Sequence, residues 1–267
     1  HIQTVATTGL NHVPATVEAW LMPELRTDGI NDWPNNAISN DKPGFAGHGF
    51  GINIWPNSSE LAIWTQGANY ALRENTTFIS NRWVHIAVVY TNTGAEVYIN
   101  GDLFQNYSYT QGALDGVDFI RIGKHNDDVA RYGTKRFFKG AIDEIRIWNI
   151  ALTEVQIRSG MNRQLVGNES GLVTYLRFDE KKGNTVFDTT TNHVDGLLGN
   201  GVVDQQPTWI QYRSEEWQPP AGEYSSLKHN EDGSYTRRLK DGTEYHFNAA
   251  GLQTAMIDRN GNRTVYT

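Results

Sequence analysis

The stretch WVHIAVVYTNTGAEVYINGDL, residues 83–103, decides the fold. Val84, Ile86, Val88 and Tyr90 recur at every second position, the period of a strand that buries one face. Thr93-Gly94 precedes a second run, EVYIN, and Asn100-Gly101 follows it. Both pairs carry residues that tolerate the positive φ of tight hairpins, so this stretch predicts strand, turn, strand, turn.

The same texture extends outward in both directions. Strands are expected at Thr16 to Leu21 (TVEAWL), Phe50 to Trp55, Leu61 to Trp64, Phe119 to Ile122, Ala141 to Trp148 (AIDEIRIW) and Leu172 to Phe178. Clusters of Gly, Asn, Asp and Pro separate them, a pattern of antiparallel layers rather than of parallel strands joined by helices. In AIDEIRIW, strict alternation sets Ile142, Glu144, Arg146 and Trp148 opposite Asp143, Ile145 and Ile147. Thr153 to Met161 is the one expected helix, with Thr153 as its N-cap and Gly160 near its end.

Composition agrees and removes several classes. The chain has 267 residues, 38% hydrophobic and 11% aromatic, enough to bury a core and too apolar for global disorder. It has no cysteine, which excludes a disulfide framework, a thiol nucleophile and cysteine-ligated metals. With 23 basic and 30 acidic side chains the net charge is -7, opposed to the broad positive surface of a nucleic-acid binder, and no nucleic-acid partner is expected. No run of about 18 apolar residues occurs, so membrane insertion is not expected either. The start at His1 without an initiator Met reads as a piece of a longer parent polypeptide.

Past Trp209 the texture changes. Residues 213–223, including Trp217-Gln218-Pro219-Pro220, have linker composition. Then Gly233, Gly242, Gly251 and Gly261 recur at nine, nine and ten residues, each followed by a short strand-like run. Residues 224–267 are therefore expected to be a repeat of β-hairpins that needs stacked neighbours. The sandwich would occupy residues 1–212.

TVEAWL at Thr16, the stretch at Trp83, FFKGAIDEIRIWNIALTEVQI at Phe137 and the closing segment GLVTYLRFDEKKGNTVFDTTTNHVDGLLGN together resemble the laminin-G-like jelly-roll family, relatives of concanavalin A-like lectins and glucanases and of pentraxins. The resemblance implies an all-β, two-sheet antiparallel jelly-roll sandwich, here with a C-terminal β-hairpin extension. The tail resembles the Rhs/YD repeat of bacterial secreted toxins and surface proteins. Together these imply an extracellular bacterial protein, secreted or held at the cell surface; family analogy alone does not fix its function.

Catalysis on such a sandwich needs two carboxylates flanking a glycosidic bond, one of raised pKa. The glucanases of the family resemble one another in an E-x-D-x-x-E strand; in this chain Ala141 and Arg146 stand where its outer acids would be, leaving Asp143 alone. Asp143 and Glu144 are adjacent on a strand and so expected on opposite faces. A lyase would use a Gln-x-His strand, and His85 lacks the Gln. The expectation is that the chain is not an enzyme.

Binding is the favoured chemistry. Sugar rings stack on exposed aromatics while amides bond their hydroxyls. If Ile52, Ile54, Leu61 and Ile63 face the core, then Asn53, Trp55, Ala62 and Trp64 share the outer face; Trp33 and Tyr132 are further loop candidates. Ca²⁺ suits oxygen-only ligands on loops. Two sets qualify: Asp188, Asn192 and Asp195 in the loop DTTTNHVD, and a rim set joining Asp41 to Asn126, Asp127 and Asp128. Trp20, Trp83 and Trp148 are expected as framework. The sequence thus reads as a Ca²⁺-binding carbohydrate-recognition module for a glycan or glycosylated cell surface. A structural spacer of a repeat shell and a divergent glycoside hydrolase or polysaccharide lyase are the alternatives.

Overall fold

The alternation at residues 84–90 becomes β7 (Val84–Thr91), which pairs with β8 (Gly94–Ile99); β8 in turn pairs with β9 (Asp102–Ser108). The second hairpin turns on Asn100 and Gly101, at φ 52° and 85°, the left-handed geometry that a two-residue loop demands. The first turns one residue earlier than expected. Thr91 pairs with Gly94, so Asn92 and Thr93 form the loop and Gly94 opens the strand. A Cβ on Gly94 would meet the Tyr107 carbonyl oxygen at 1.8 Å, which is why glycine stands there.

The computed structural model describes residues 1–24, 35–42, 49–55, 60–64, 72–74, 82–109, 114–124, 137–210, 226–230, 232–239, 241–248 and 250–266. They divide into two units, His1–Trp209 and Ile210–Thr267.

In the first unit, a six-stranded antiparallel sheet runs in the order β12 (Leu172–Leu176), β11 (Gly140–Trp148), β2 (Ala15–Pro23), β7, β8, β9. An eight-stranded antiparallel sheet runs β13 (Thr185–Val186), β14 (Gly196–Leu198), β1 (Ile2–Thr4), β10 (Arg121–Ile122), β3 (Asn35–Ser39), β4 (Gly51–Ile54), β5 (Leu61–Trp64), β6 (Leu72–Glu74). Val17, Ala19, Leu21, Ile86, Val88 and Tyr90 from the first sheet meet Ile38, Ile52, Ile54, Leu61 and Ile63 from the second in one continuous core. This is the all-β sandwich that the sequence predicts.

The six-stranded sheet is buried on its other face too. Ala87, Val89, Trp148 and Tyr175 pack there with Leu152, Ile157 and Leu165. Ile157 belongs to helix α1 (Glu154–Gly160), which starts from a capping box in which Thr153 and Gln156 bond each other's backbone N–H. Beneath it lies a charged centre. Glu18 accepts the Trp148 indole N–H at 3.1 Å and lies 3.7 Å from Arg146 and 3.3 Å from His85; all three charged or titratable side chains are at most 2% exposed. Arg146 also donates to the Gly160 and Arg163 carbonyls, and Trp20 donates to that of Met161, so the centre ties the end of α1 to the sheet.

One expectation about β11 is overturned. Asp143 pairs with Trp20 and Arg146 with Glu18, so two residues of β11 face the single Ala19 of β2. This is a β-bulge, and its extra residue, Glu144, takes φ 52°. The bulge resets the alternation: Ile142 and Ile145 pack on the core, while Asp143, Glu144 and Arg146 share the outer face.

The second unit is a five-stranded meander: β15 (Ser226–His229), β16 (Tyr235–Arg238), β17 (Glu244–Phe247), β18 (Gln253–Ile257), β19 (Arg263–Val265). Its four connections repeat one device. Gly233, Gly242, Gly251 and Gly261 sit at φ 79° to 91°, each donating its N–H to the carbonyl three residues back. The nine- to ten-residue period is the length of one strand plus that turn.

Candidate functional site

β4 and β5 form a hairpin whose isoleucines and leucine enter the core, so their other side chains must face outward from the eight-stranded sheet. Asn53 lies on that outer face opposite Ala62, and Asn36 of β3 lies opposite Asn53 on its other side. Trp55 continues the face, half-buried. The backbone of Trp64 pairs with Gly51, while its side chain falls outside what the structure describes.

The outer face differs from the open platform expected. Asn53, Ala62 and Asn36 are each 0% exposed. Asn36 donates through Nδ2 to the Ser39 hydroxyl at 2.5 Å, but among the described residues its Oδ1 accepts nothing and neither Nδ2 nor Oδ1 of Asn53 has a hydrogen-bond partner. Each buried polar atom left without a partner costs about 1–3 kcal/mol. Two carbonyl oxygens and an amide nitrogen thus lie side by side on this face without a partner among the described residues.

Asn36 and Ser39 were not among the residues expected here, because NNAIS reads as polar loop; asparagine has little strand propensity, and only pairing between β10 and β4 makes it a strand. Arg121 of β10 lies opposite Ser39 on the same face. Its Nη1 donates to the Asp41 carbonyl at 2.9 Å; burial draws its pKa down, and the Asp41 charge beside it pulls the other way. Asp41 is itself buried, next to an Asn40 amide that accepts from the Phe50 N–H and donates to Asn11 and Val117.

Trp33, Tyr132, Asn126, Asp127 and Asp128 lie outside the described residues. In the closing loop, Asp188 Oδ1 accepts the N–H groups of Tyr175 and Thr190, and Oδ2 accepts the Thr190 hydroxyl and the Val194 N–H. Asp195 accepts the Asp188 N–H, and Asn192 donates to the Val173 carbonyl. Four donors fill the lone pairs of Asp188, so this carboxylate is committed to pinning the loop to β12. Among the described residues, no group of three or more His, Asp or Glu side chains comes together.

On the six-stranded sheet, the bulge brings two acids to one face. Glu144 accepts from the Tyr175 hydroxyl at 2.5 Å and from Arg146 at 2.7 Å. Asp143 accepts the Glu144 N–H at 2.9 Å, yet burial, with the charges of Glu144 and Asp179, raises its pKa to about 7.

Residues 1–158 match the family described as the concanavalin A-like lectin/glucanases superfamily, of laminin G type. Among curated proteins, the chain is 25% identical over 183 residues to the adhesion G-protein coupled receptor V1 of Danio rerio; the match covers 62% of this chain and 3% of that receptor. Among solved structures, it is similar to a candidate carbohydrate-binding protein from Bacteroides ovatus, with a TM-score of 0.54 and 20% identity, covering 74% of this chain and 55% of that one. A heptameric pentraxin from Limulus polyphemus gives a TM-score of 0.43 at 17% identity over 59% of this chain and 73% of that one. The chain thus spans only part of the relatives named first.

Proposed function

The chain belongs to the concanavalin A-like lectin/glucanases superfamily, and from that premise we propose that its sandwich is a non-catalytic carbohydrate-binding module, acting outside the cell on a glycan or glycosylated surface. One observation carries this reading: the outer face of the eight-stranded sheet sets Asn36 and Asn53, whose amide atoms keep unused hydrogen-bonding capacity among the described residues, in line with the half-buried Trp55. Amide atoms and an indole are the two instruments with which proteins hold sugars, the first for hydroxyls and the second for the C–H face of the ring. The name of the Bacteroides ovatus protein points to the same ligand class. A glycan array probed with the whole chain is expected to give discrete positives that Trp55→Ala erases. Blank arrays with a folded protein would retire the reading in favour of a structural spacer within a longer, repeat-containing parent polypeptide.

Calcium belongs to this proposal at the rim alone, where the buried Asp41 would supply one oxygen ligand. Its test is calorimetric titration with Ca²⁺, in which Asp41→Asn should remove the binding heat.

Hydrolysis is the second reading, favoured by one specific feature. The bulge sets Asp143, with a pKa of about 7, beside Glu144 on one face. Release of reducing ends from a polysaccharide panel that disappears in Asp143→Asn would establish it; no release from any polysaccharide leaves the module as a binder.

A further inference from the structure

We propose, on the strength of the carbohydrate-binding reading, that the glycan is acidic and that Arg121 and Lys124, in β10 and just after it, receive an oxyanion borne by the sugar, a carboxylate or a sulfate. Placement carries this. Arg121 pairs with Gln3 of β1 and Ser39 of β3 across the sheet, and its guanidinium lies over the Phe119 ring, 4.6 Å from the centroid. Lys124 places its ammonium 5.6 Å from the Phe137 ring centroid and 3.5 Å from the Gln205 side-chain oxygen. An aromatic ring beside each cation holds it in place before any ligand arrives, which lowers the ordering cost of binding. Both side chains are half-buried, so solvent and solutes reach them.

The two like charges repel each other. Burial and then the Arg121 charge draw the Lys124 pKa below its ordinary value. Asp41 offsets part of the Arg121 charge, but among the described residues no carboxylate lies within ion-pairing distance of either cation. An oxyanion held by both removes the repulsion and accepts from a planar fork and a compact ammonium, the donors suited to carboxylate and sulfate. The pair also adjoins the face already described. Phe137 forms β-bridges to both Lys124 and Asn36, and β10 lies two strands from β4, about 10 Å across the sheet. One oligosaccharide can therefore set its charged unit at Lys124 and extend a neighbouring ring toward Trp55. Because the chain as a whole carries a charge of -7, attraction of an acidic glycan depends on this local pair and is weakened by salt.

The experiment titrates uronic-acid oligosaccharides, sulfated oligosaccharides, their neutral counterparts and inorganic sulfate calorimetrically into the full chain, Lys124→Gln and Lys124→Arg, at two salt concentrations and with and without EDTA. The expected result is binding of the carboxylated or the sulfated members, weaker at the higher salt and insensitive to EDTA. Lys124→Gln should weaken it about tenfold, and Lys124→Arg should keep it. Melting of Lys124→Gln should be no lower than that of the parent, since a repelled charge is removed. Binding confined to neutral members, acidic binding unchanged in Lys124→Gln, or its loss in EDTA each overturns this inference while leaving the sandwich a carbohydrate binder. Equal loss in Lys124→Arg overturns it as well, because packing rather than charge would then be at stake. Inorganic sulfate bound as tightly as the acidic oligosaccharides overturns it too, by making the pair a simple-anion site. Failure of every sugar to bind the parent chain defeats the underlying reading instead.

Discussion

Glu18 and Asp143 show how one sheet face tunes two carboxylates in opposite directions. Burial would raise Glu18, but His85, Arg146 and the Trp148 N–H outweigh it and hold the group below the ordinary carboxylate range. A depressed native pKa contributes stability above the unfolded value of about 4.3, and that stability is lost as pH falls through the native value. Asp143 is raised to about 7, so its contribution is fully present below about 3.9 and is lost as pH rises toward 7. Melting temperature measured against pH should therefore fall between pH 4 and 7, and Asp143→Asn should flatten that fall, gaining on the order of 2 kcal/mol at pH 8. A slope identical in parent and variant would show that Asp143 ionises at its ordinary pH. Glu18→Gln acts in the other sense. It leaves Arg146 charged and 2% exposed with one carboxylate fewer, a loss of about 3–5 kcal/mol by denaturant melts. None of this coupling was readable from TVEAWL, because Glu18, His85 and Arg146 come from three strands separated by about sixty residues each. What was readable was that Trp20 and Trp148 belong to the framework, as their bonds to Met161 and Glu18 bear out.

Elements were legible where periodicity or a turn residue left one solution, and illegible where the backbone departs from it. The hairpins around β7 to β9 and the cap of α1 follow from local chemistry, since only particular residues tolerate positive φ or accept a helix's first N–H groups. The β11 bulge leaves no such mark. Glu144 adopts φ 52° with no glycine or asparagine to announce it, and that single inserted residue moves Asp143 to the face of Glu144. β3 escaped notice for the converse reason: its asparagines advertise loop, and the sheet overrides them. In the closing loop Asp188 bonds backbone N–H groups, and a carboxylate that does so looks in sequence like one that waits for calcium. Asp188→Ala should expose this difference. Removing the acceptor leaves the buried N–H groups of Tyr175, Thr190 and Val194 unpaired, costing about 2–4 kcal/mol in chemical denaturation. Saturating Ca²⁺ should shift the melting temperature of this variant and of the parent alike; a calcium stabilisation lost specifically in Asp188→Ala would restore the loop as a metal site.

At the scale of the whole molecule, the two units rest on different physics. The sandwich closes two sheets on a common core and buries a second layer under α1, so β2, β7 and β12 are protected on both faces. The meander has five strands and, among the described residues, one buried hydrophobic side chain, Ala255, with most of the others half-exposed. Backbone ladders alone contribute little net free energy, and apolar burial is the term that offsets chain entropy. Residues 1–209 expressed alone should therefore melt within a degree or two of the full chain, while residues 210–267 alone should lack a cooperative transition and exchange their amide hydrogens within seconds to minutes at neutral pH. Native-state hydrogen exchange on the intact chain makes the comparison directly: protection in β7 and β2 should approach the global unfolding free energy, and protection in β15 to β19 should fall several kcal/mol short of it. Equal protection in both sets would mean that the meander gains stability from burial absent from its own strands, and its repeating turns would then have to be counted as part of the sandwich's cooperative unit.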